Sequence, residues 1–427
     1  MLLELVTTMR TDAFLEALGG RADASAAATL TAGLALLQQY VAIRQRGPDP
    51  EADDAALASI RAQLDECTPT DREVVALHAL AEALRYWTAE SPSAFERRLA
   101  YVALVHYGQT LFGNAVPKVA LTVLDLVAVD AELDGQDAVS AQARLLCGFA
   151  YRTIGDWDAS RAAYDRAYEL AWGAGDFMTA LRTRVGLAYN ASSRGDLPGA
   201  RALLRATAPR ARRLASEALP YVYLGQASLE NISGHYEDAI ALCYRAHQAA
   251  GADEEMRIAS LIDLAQCFSD YGAPEVAEDA LRAVVRSDVD VRHRVQSMIN
   301  LLFLAITQRR ETEFDTLRGE LLSLPFSIRQ RTTYQLIEAQ GLRTFGRLTD
   351  ARAAGERALA LAQEHSLFQL VFQAEEELRA IDGATAAEES AGARLAVEGA
   401  PSIARPMSRR VSRIAGAVRS MAAASVA

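Results

Sequence analysis

Few residues in this chain have the type and spacing that chemistry needs. The six histidines, His78, His106, His235, His247, His293 and His365, are scattered, and none has a second His, a Cys or an acid at a metal-ligand spacing. The four cysteines, Cys67, Cys147, Cys243 and Cys267, form no Cys-x-x-Cys pair. Three of them fall on apolar helix faces, which suits small buried hydrophobes better than a disulfide framework. The carboxylate pairs Asp53-Asp54, Glu254-Glu255 and Glu388-Glu389 are adjacent in sequence. Neighbours one apart leave a helix in different directions, so these pairs read as solvated helix starts and not as acid–base machinery. Lys118 is the single lysine and sits in VPKVA, outside any G-x-x-x-x-G-K-S/T phosphate loop. There is no G-x-S-x-G elbow, no H-E-x-x-H pair and no G-x-G-x-x-G opening a helix after a strand. No catalytic residue, metal or cofactor is expected, and the chain is read as not an enzyme.

With chemistry set aside, binding remains, and binding surfaces depend on the elements that carry them. The 427 residues exceed what one compact core holds, so several domains or an open-ended stack are expected. The chain is 51% hydrophobic, dominated by Ala and Leu, and only 7% aromatic. Small side chains let helices approach closely, and long runs of Val, Ile and Thr are absent, so helix on helix is the expected packing. A net charge of −11 excludes non-specific nucleic-acid binding by the main body.

The clearest unit is RLLCGFAYRTIGDWDASRAAYDRAYELA, residues 144–171, which reads as two helices joined at Gly155-Asp156. Glycine suits a helix end that needs positive φ, and aspartate can cap the next helix. The turn recurs at Gly195, Gly234, Gly272 and Gly346, with spacings of 40, 39, 38 and 74 residues, the last being two steps of 37. Seven residues before each glycine stand Gly148, Ala188, Ala227, Ala265 and Ala339; five after stand Ser160, Ala200, Ala239, Ala277 and Ala351. Twelve after stand Ala167, Thr207, Ala246, Val284 and Ala358, and nine after stand the mostly bulkier Tyr164, Leu204, Cys243, Leu281 and Gly355. Columns of small residues let the two helices of a hairpin touch and the next hairpin stack.

Gly148, Tyr151, Gly155, Tyr164 and Ala167, in that order, resemble the tetratricopeptide repeat signature, in the longer, degenerate form found in large bacterial regulators and quorum-sensing peptide receptors. The resemblance covers residues 137–365, with no turn glycine across 290–325. It implies an all-α, right-handed superhelical solenoid of antiparallel helix hairpins, whose first helices line a concave binding face. Carried onto these repeats, that face holds Phe149, Arg152, Arg182, Tyr189, Ser192, Tyr221, Ser228, Asn231, Gln266, Ser269, Gln340 and Arg343. Of these, Asn231 and Gln266 could pair with a peptide backbone, the arginines could fork onto a carboxylate, and the tyrosines offer area with a polar tip. The resemblance implies a protein- or peptide-binding scaffold. The alternative is a peptide-responsive sensor that controls a separate transcription factor or signalling enzyme. The expected partner is a protein or peptide, with self-association open.

Residues 1–135 carry only a helical-hairpin pattern. Leu30, Leu34, Leu37 and Val41, with Leu36, Tyr40 and Ile43, give a broad helical face that Pro48 and Pro50 end. Thr70 and Glu73 have capping-box spacing, and helix starts are expected at Ser93-Ala94-Phe95-Glu96 and Asn114-Ala115-Val116-Pro117. The boundaries expected are 1–135 for these hairpins, 136–382 for repeats ending in a capping helix, 383–401 for a flexible linker and 402–427 for a basic tail. The capping helix, 366–381, is expected to face solvent with Glu375, Glu376 and Glu377. The tail has five arginines and no acid. As a helix it would group Val411, Ile414, Val418 and Met421 against Arg409, Arg410 and Arg413. It reads as unstructured, as docked on the chain's own acidic body, or as docked on a partner or an anionic membrane. Glu4 interrupts the apolar start, so no signal peptide is expected, and with no membrane span expected either, a cytoplasmic protein follows.

Overall fold

The computed structural model describes residues 11–19, 24–67, 72–88, 92–113, 116–324, 326, 328–364, 367–390 and 407–424. The expected cap residue Thr70, the Asn114-Ala115 helix start and the linker residues 391–401 lie outside them, as do the first ten residues, His365 and Arg405. Among the described residues there are helices and no strands. The chain folds as two compact units, Met1–Arg152 with Trp157–Thr183, and Thr153–Asp156 with Arg184–Ala427.

Unit one holds α1 (Thr11–Gly19), α2 (Ala24–Arg46), α3 (Pro50–Asp65), α4 (Arg72–Trp87), α5 (Ala94–Gly113), α6 (Pro117–Leu133), most of α7 (Asp137–Thr153), α8 (Trp157–Gly173) and the start of α9 (Phe177–Ser193). Local rules explain the starts. Proline stands in the first turn of α3 and α6, where its missing N–H costs nothing. At α5, Ser93 Oγ accepts from the Glu96 amide and Glu96 Oε2 from the Ser93 amide, a reciprocal capping box. Those bonds hold the Glu96 carboxyl below its ordinary range.

What ties α2, α4, α5 and α6 together is a cluster the sequence pattern did not suggest. Trp87 stands edge-on to Tyr40 and Tyr101, at 5.6 and 5.2 Å. Tyr40 donates to Asp130, and Tyr101 donates to Asp134 at 2.8 Å. Arg44 donates to Asp130 at 2.9 Å and lies over the Trp87 ring. Burial, then the adjacent carboxylates, raise both tyrosine hydroxyls. The absence of a membrane span needs correction on composition. Residues 24–43 are uncharged, and α2 is long and apolar enough to cross a membrane by length and composition alone. Here its Leu30, Leu36, Leu37, Tyr40 and Ile43 are buried.

Unit two holds the rest of α9, then α10 (Leu197–Leu214), α11 (Leu219–Ile232), α12 (Tyr236–Ala249), α13 (Glu254–Tyr271), α14 (Pro274–Arg286), α15 (Val291–Thr307), α16 (Glu311–Leu322), α17 (Ile328–Thr344), α18 (Leu348–Glu364), α19 (Phe368–Ser390) and α20 (Arg409–Ala424). Sequential helices pair as hairpins: α11 with α12, α13 with α14, α15 with α16, and α17 with α18. Each first helix, α11, α13, α15 and α17, also touches the next first helix, ending on α19. All five turn glycines have positive φ, and Gly135, Gly175 and Gly251 do the same at turns the repeat pattern had not marked. Every member of the three small-residue columns is buried.

The hairpin without a glycine is accounted for by Arg309. It lies 37 residues after Gly272 and 37 before Gly346, and its φ is 54°, the one non-glycine positive φ among the described residues. Its small-residue positions are filled by the larger Leu302, Phe314 and Leu321, all fully buried. Room for Phe314 comes from Gly341 on α17, where any Cβ would collide with the Phe314 ring.

Two expectations at the C-terminal end are corrected. The segment expected as a linker is helical as far as Ser390, because α19 continues through Ala- and Glu-rich sequence that favours helix. Glu377 does not face solvent. It is buried and takes a fork from Arg343, at 2.5 and 3.1 Å, while Glu375 and Glu376 are exposed.

Candidate functional site

The residues expected on the first-helix face fall in both units, and each unit is described by itself. In unit one, Phe149, Arg152 and Arg182 gather around Tyr164. Phe149 packs edge-on to the Tyr164 ring at 5.7 Å, and the Arg152 guanidinium sits 5.5 Å from the Phe149 centroid. Tyr164 fills the space over Gly148, whose carbonyl accepts from Ser160 at 2.7 Å. Burial pushes the Tyr164 hydroxyl up to about 12, and Arg152, Ser160 and Arg182 oppose that rise. This is a packed cluster, in which the buried Tyr164 hydroxyl has no hydrogen-bond partner among the described residues.

In unit two the first helices form a row joined by side-chain bonds. Tyr221 on α11 donates to Asp253, the cap of α13, at 3.3 Å. Asn231 on α11 and Gln266 on α13 both donate to Asp270, at 2.7 and 2.9 Å. Asn231 Oδ1 is buried with no hydrogen-bond partner among the described residues. Arg292 on α15 pairs with Glu255 at 2.9 Å, and Gln330 on α17 donates to the Arg292 carbonyl at 2.8 Å. Also on α15, Gln296 donates to Asn300 at 3.0 Å. Tyr189, Ser192 and Gln340 are half-buried on α9 and α17. Arg343 is a correction: its fork is already closed on Glu377, so it is not free to take a ligand carboxylate.

Asp263 stands out on this row. It lies on the same stripe of α13 as Gln266 and Asp270, at i, i+3 and i+7. Unlike them it has no hydrogen bond or ion pair among the described residues, and it is only half-buried. Burial alone lifts its carboxyl to about 7. An unpaired carboxyl that is shielded yet reachable, on a helix that also presents Gln266, suits a ligand group that donates hydrogen bonds or carries positive charge. The stripe was legible in the sequence; the missing partner was not. The acids Asp253, Glu255 and Asp270 share this part of the row, so it favours donors over acceptors.

A cleft of about 450 Å³ lies elsewhere in unit two, on α10, α11 and α12, lined in part by Arg201, Arg205, Arg245 and Arg410. Among the described residues no group of His, Cys, Asp and Glu is arranged to hold a metal. The thiols of Cys243 and Cys267 meet at 3.8 Å in the core, and that contact and burial raise Cys243. Such a thiol is inert.

No family model and no curated protein matches the chain. Two of the solved structures similar to it are the following. One is a Rap protein complexed with competence and sporulation factor, at 13% identity, 84% coverage of this chain, 99% of that one and a TM-score of 0.44. The other is the Rap conjugation gene regulator of the plasmid pLS20 in complex with the Phr* peptide, at 13% identity, 83% and 97% coverage and a TM-score of 0.42.

Proposed function

We propose that the chain is a protein- or peptide-binding scaffold that uses the first-helix face of unit two, over α11, α13 and α15. The observation that carries this reading is the half-buried carboxyl of Asp263, without a partner among the described residues, on the α13 stripe that also carries Gln266 and Asp270. Leaving a shielded carboxylate unpaired costs folding free energy, and a site that gains its partner from a ligand explains that cost. The amides of Asn231 and Gln266 add donors and acceptors for a peptide backbone. A second reading, a peptide-responsive regulator, is favoured by the seating of α20 on α12 and α14, because a docked helix can exchange when a ligand alters the unit.

The test is to pan a random peptide library against the immobilised full chain and retest enriched peptides by calorimetry. Peptides should bind the wild type and lose at least about tenfold on Asp263→Asn, a change worth about 1.4 kcal/mol. Enriched peptides that bind Asp263→Asn and Asn231→Ala as tightly as the wild type would sink this reading.

A further inference from the structure

The C-terminal helix occupies a trough on the second helices of unit two, away from the first-helix row. Its Val411, Ile414, Ala415 and Val418, spaced i, i+3, i+4 and i+7, are buried in the same core as α12 and α14. The rim is acidic. Glu237 accepts from Ser408 at 3.0 Å, Asp238 pairs with Arg410 at 3.1 Å, and Asp279 with Arg419 at 3.7 Å. Arg409 and Arg413 point to solvent. The apolar contacts therefore hold this helix, and the exposed ion pairs add little.

The fit is incomplete at the amino-terminal end of α20. There the trough opens into the 450 Å³ cleft, which among the described tail residues only Arg410 lines. Glu230 in that cleft is already engaged by Arg201 and His235, and Asp238 by Arg410. Arg205 and Arg245 are exposed and have no acidic partner among the described residues. Among the described residues the tail thus matches the apolar floor and the acidic rim, and leaves a cationic end unmatched.

We propose that the trough between α12 and α14 is a recognition groove for a helix of a partner protein, held in cis by α20 until that partner displaces it. The partner helix presents small apolar residues at i, i+3, i+4 and i+7 and basic residues beside them, and acidic residues just ahead of it enter the cleft to meet Arg205 and Arg245. Charge complementarity selects it: the rim takes its cations and the cleft its anions, and the second match is one that α20 lacks. Residues 391–406 tether α20 to α19, so the cis helix competes at high effective concentration, and the added contacts of the partner overcome that advantage. This proposal is independent of the first-helix face and stands or falls separately.

The experiment uses the full chain and a fluorescent peptide of residues 407–424, read by anisotropy. The variant Ile414→Asp frees the groove by placing a charge on the tail's buried stripe. The peptide should bind this variant saturably and bind the wild type at least about tenfold more weakly, because the cis helix competes. The same peptide preceded by three glutamates should bind the variant more tightly, and adding Arg205→Ala and Arg245→Ala should remove that gain. No saturable binding to a folded Ile414→Asp chain, equal affinity for both chains, or no gain from the glutamates overturns the proposal. If Ile414→Asp does not fold cooperatively, the double variant Arg410→Glu/Arg419→Glu loosens only the rim; it should bind the peptide more tightly than the wild type, and equal binding counts against the groove. A wild-type dimer that forms with concentration and is lost in the variant would show exchange between copies and overturn the partner reading.

Discussion

Replacing Asp263 by Asn should stabilise the protein, and the gain should depend on pH. Burial lifts the carboxyl from an ordinary 3.8 to about 7. A tenfold change in proton affinity is worth about 1.4 kcal/mol, so the ionised group costs the folded state at most about 4 kcal/mol. The side chain keeps some contact with water, and screening reduces the expected cost to about 2 kcal/mol. Between about pH 4 and 7 the folded state keeps a proton that the unfolded chain has released, so wild-type stability falls as pH rises through that window and levels off above it. Asn carries no such proton. Urea unfolding of both proteins at about pH 4.5 and 8 should show a small difference at the lower pH and about 2 kcal/mol in favour of Asp263→Asn at the higher. The same variant should bind library-selected peptides more weakly, a trade of function for stability. A difference that does not change with pH, or a destabilised variant at pH 8, would refute the burial argument and remove the chief support for the site.

Three further outcomes follow from the packing. Arg309→Gly should stabilise by up to about 1 kcal/mol in urea melts, since glycine adopts the positive φ without strain; a loss of stability would mean the arginine side chain matters more than its backbone. Gly341→Ala should destabilise by about 1–3 kcal/mol, although alanine is the better helix former, because the new methyl meets the Phe314 ring; adding Phe314→Leu should restore most of the loss. Glu377→Gln should cost about 1–3 kcal/mol and speed proteolysis of α19, because it leaves the half-buried Arg343 without its fork.

The hairpin repeats were readable because glycine at a helix end and small residues at fixed offsets are local requirements, visible one chain position at a time. Arg309 shows the limit: position 309 keeps the spacing, but a non-glycine at positive φ leaves no compositional mark, and its partner adjustment is a glycine 32 residues later. The Tyr40, Trp87, Tyr101 and Asp130 cluster escaped for a similar reason, since its members come from four helices and only the folded chain brings them together. Arg343 had the right residue type for a ligand fork, yet the acid that takes it lies on the next first helix. At the candidate site the sequence placed Asn231 and Gln266 on one face, and only the structure separates Asp263, which lacks a partner among the described residues, from Asp270, which has two. The basic amphipathic tail was legible as a pattern, and its seat on α12 and α14 was not.

The central claim is that ligands engage the first-helix face of unit two. Hydrogen exchange measured by mass spectrometry, on the full chain with and without a library-selected peptide, tests it most directly. The account predicts added protection in 219–232, 254–271 and 291–307, centred on Asp263 and reduced in Asp263→Asn. Protection confined to unit one or to the second helices α12, α14 and α16, with those first helices unchanged, would contradict it.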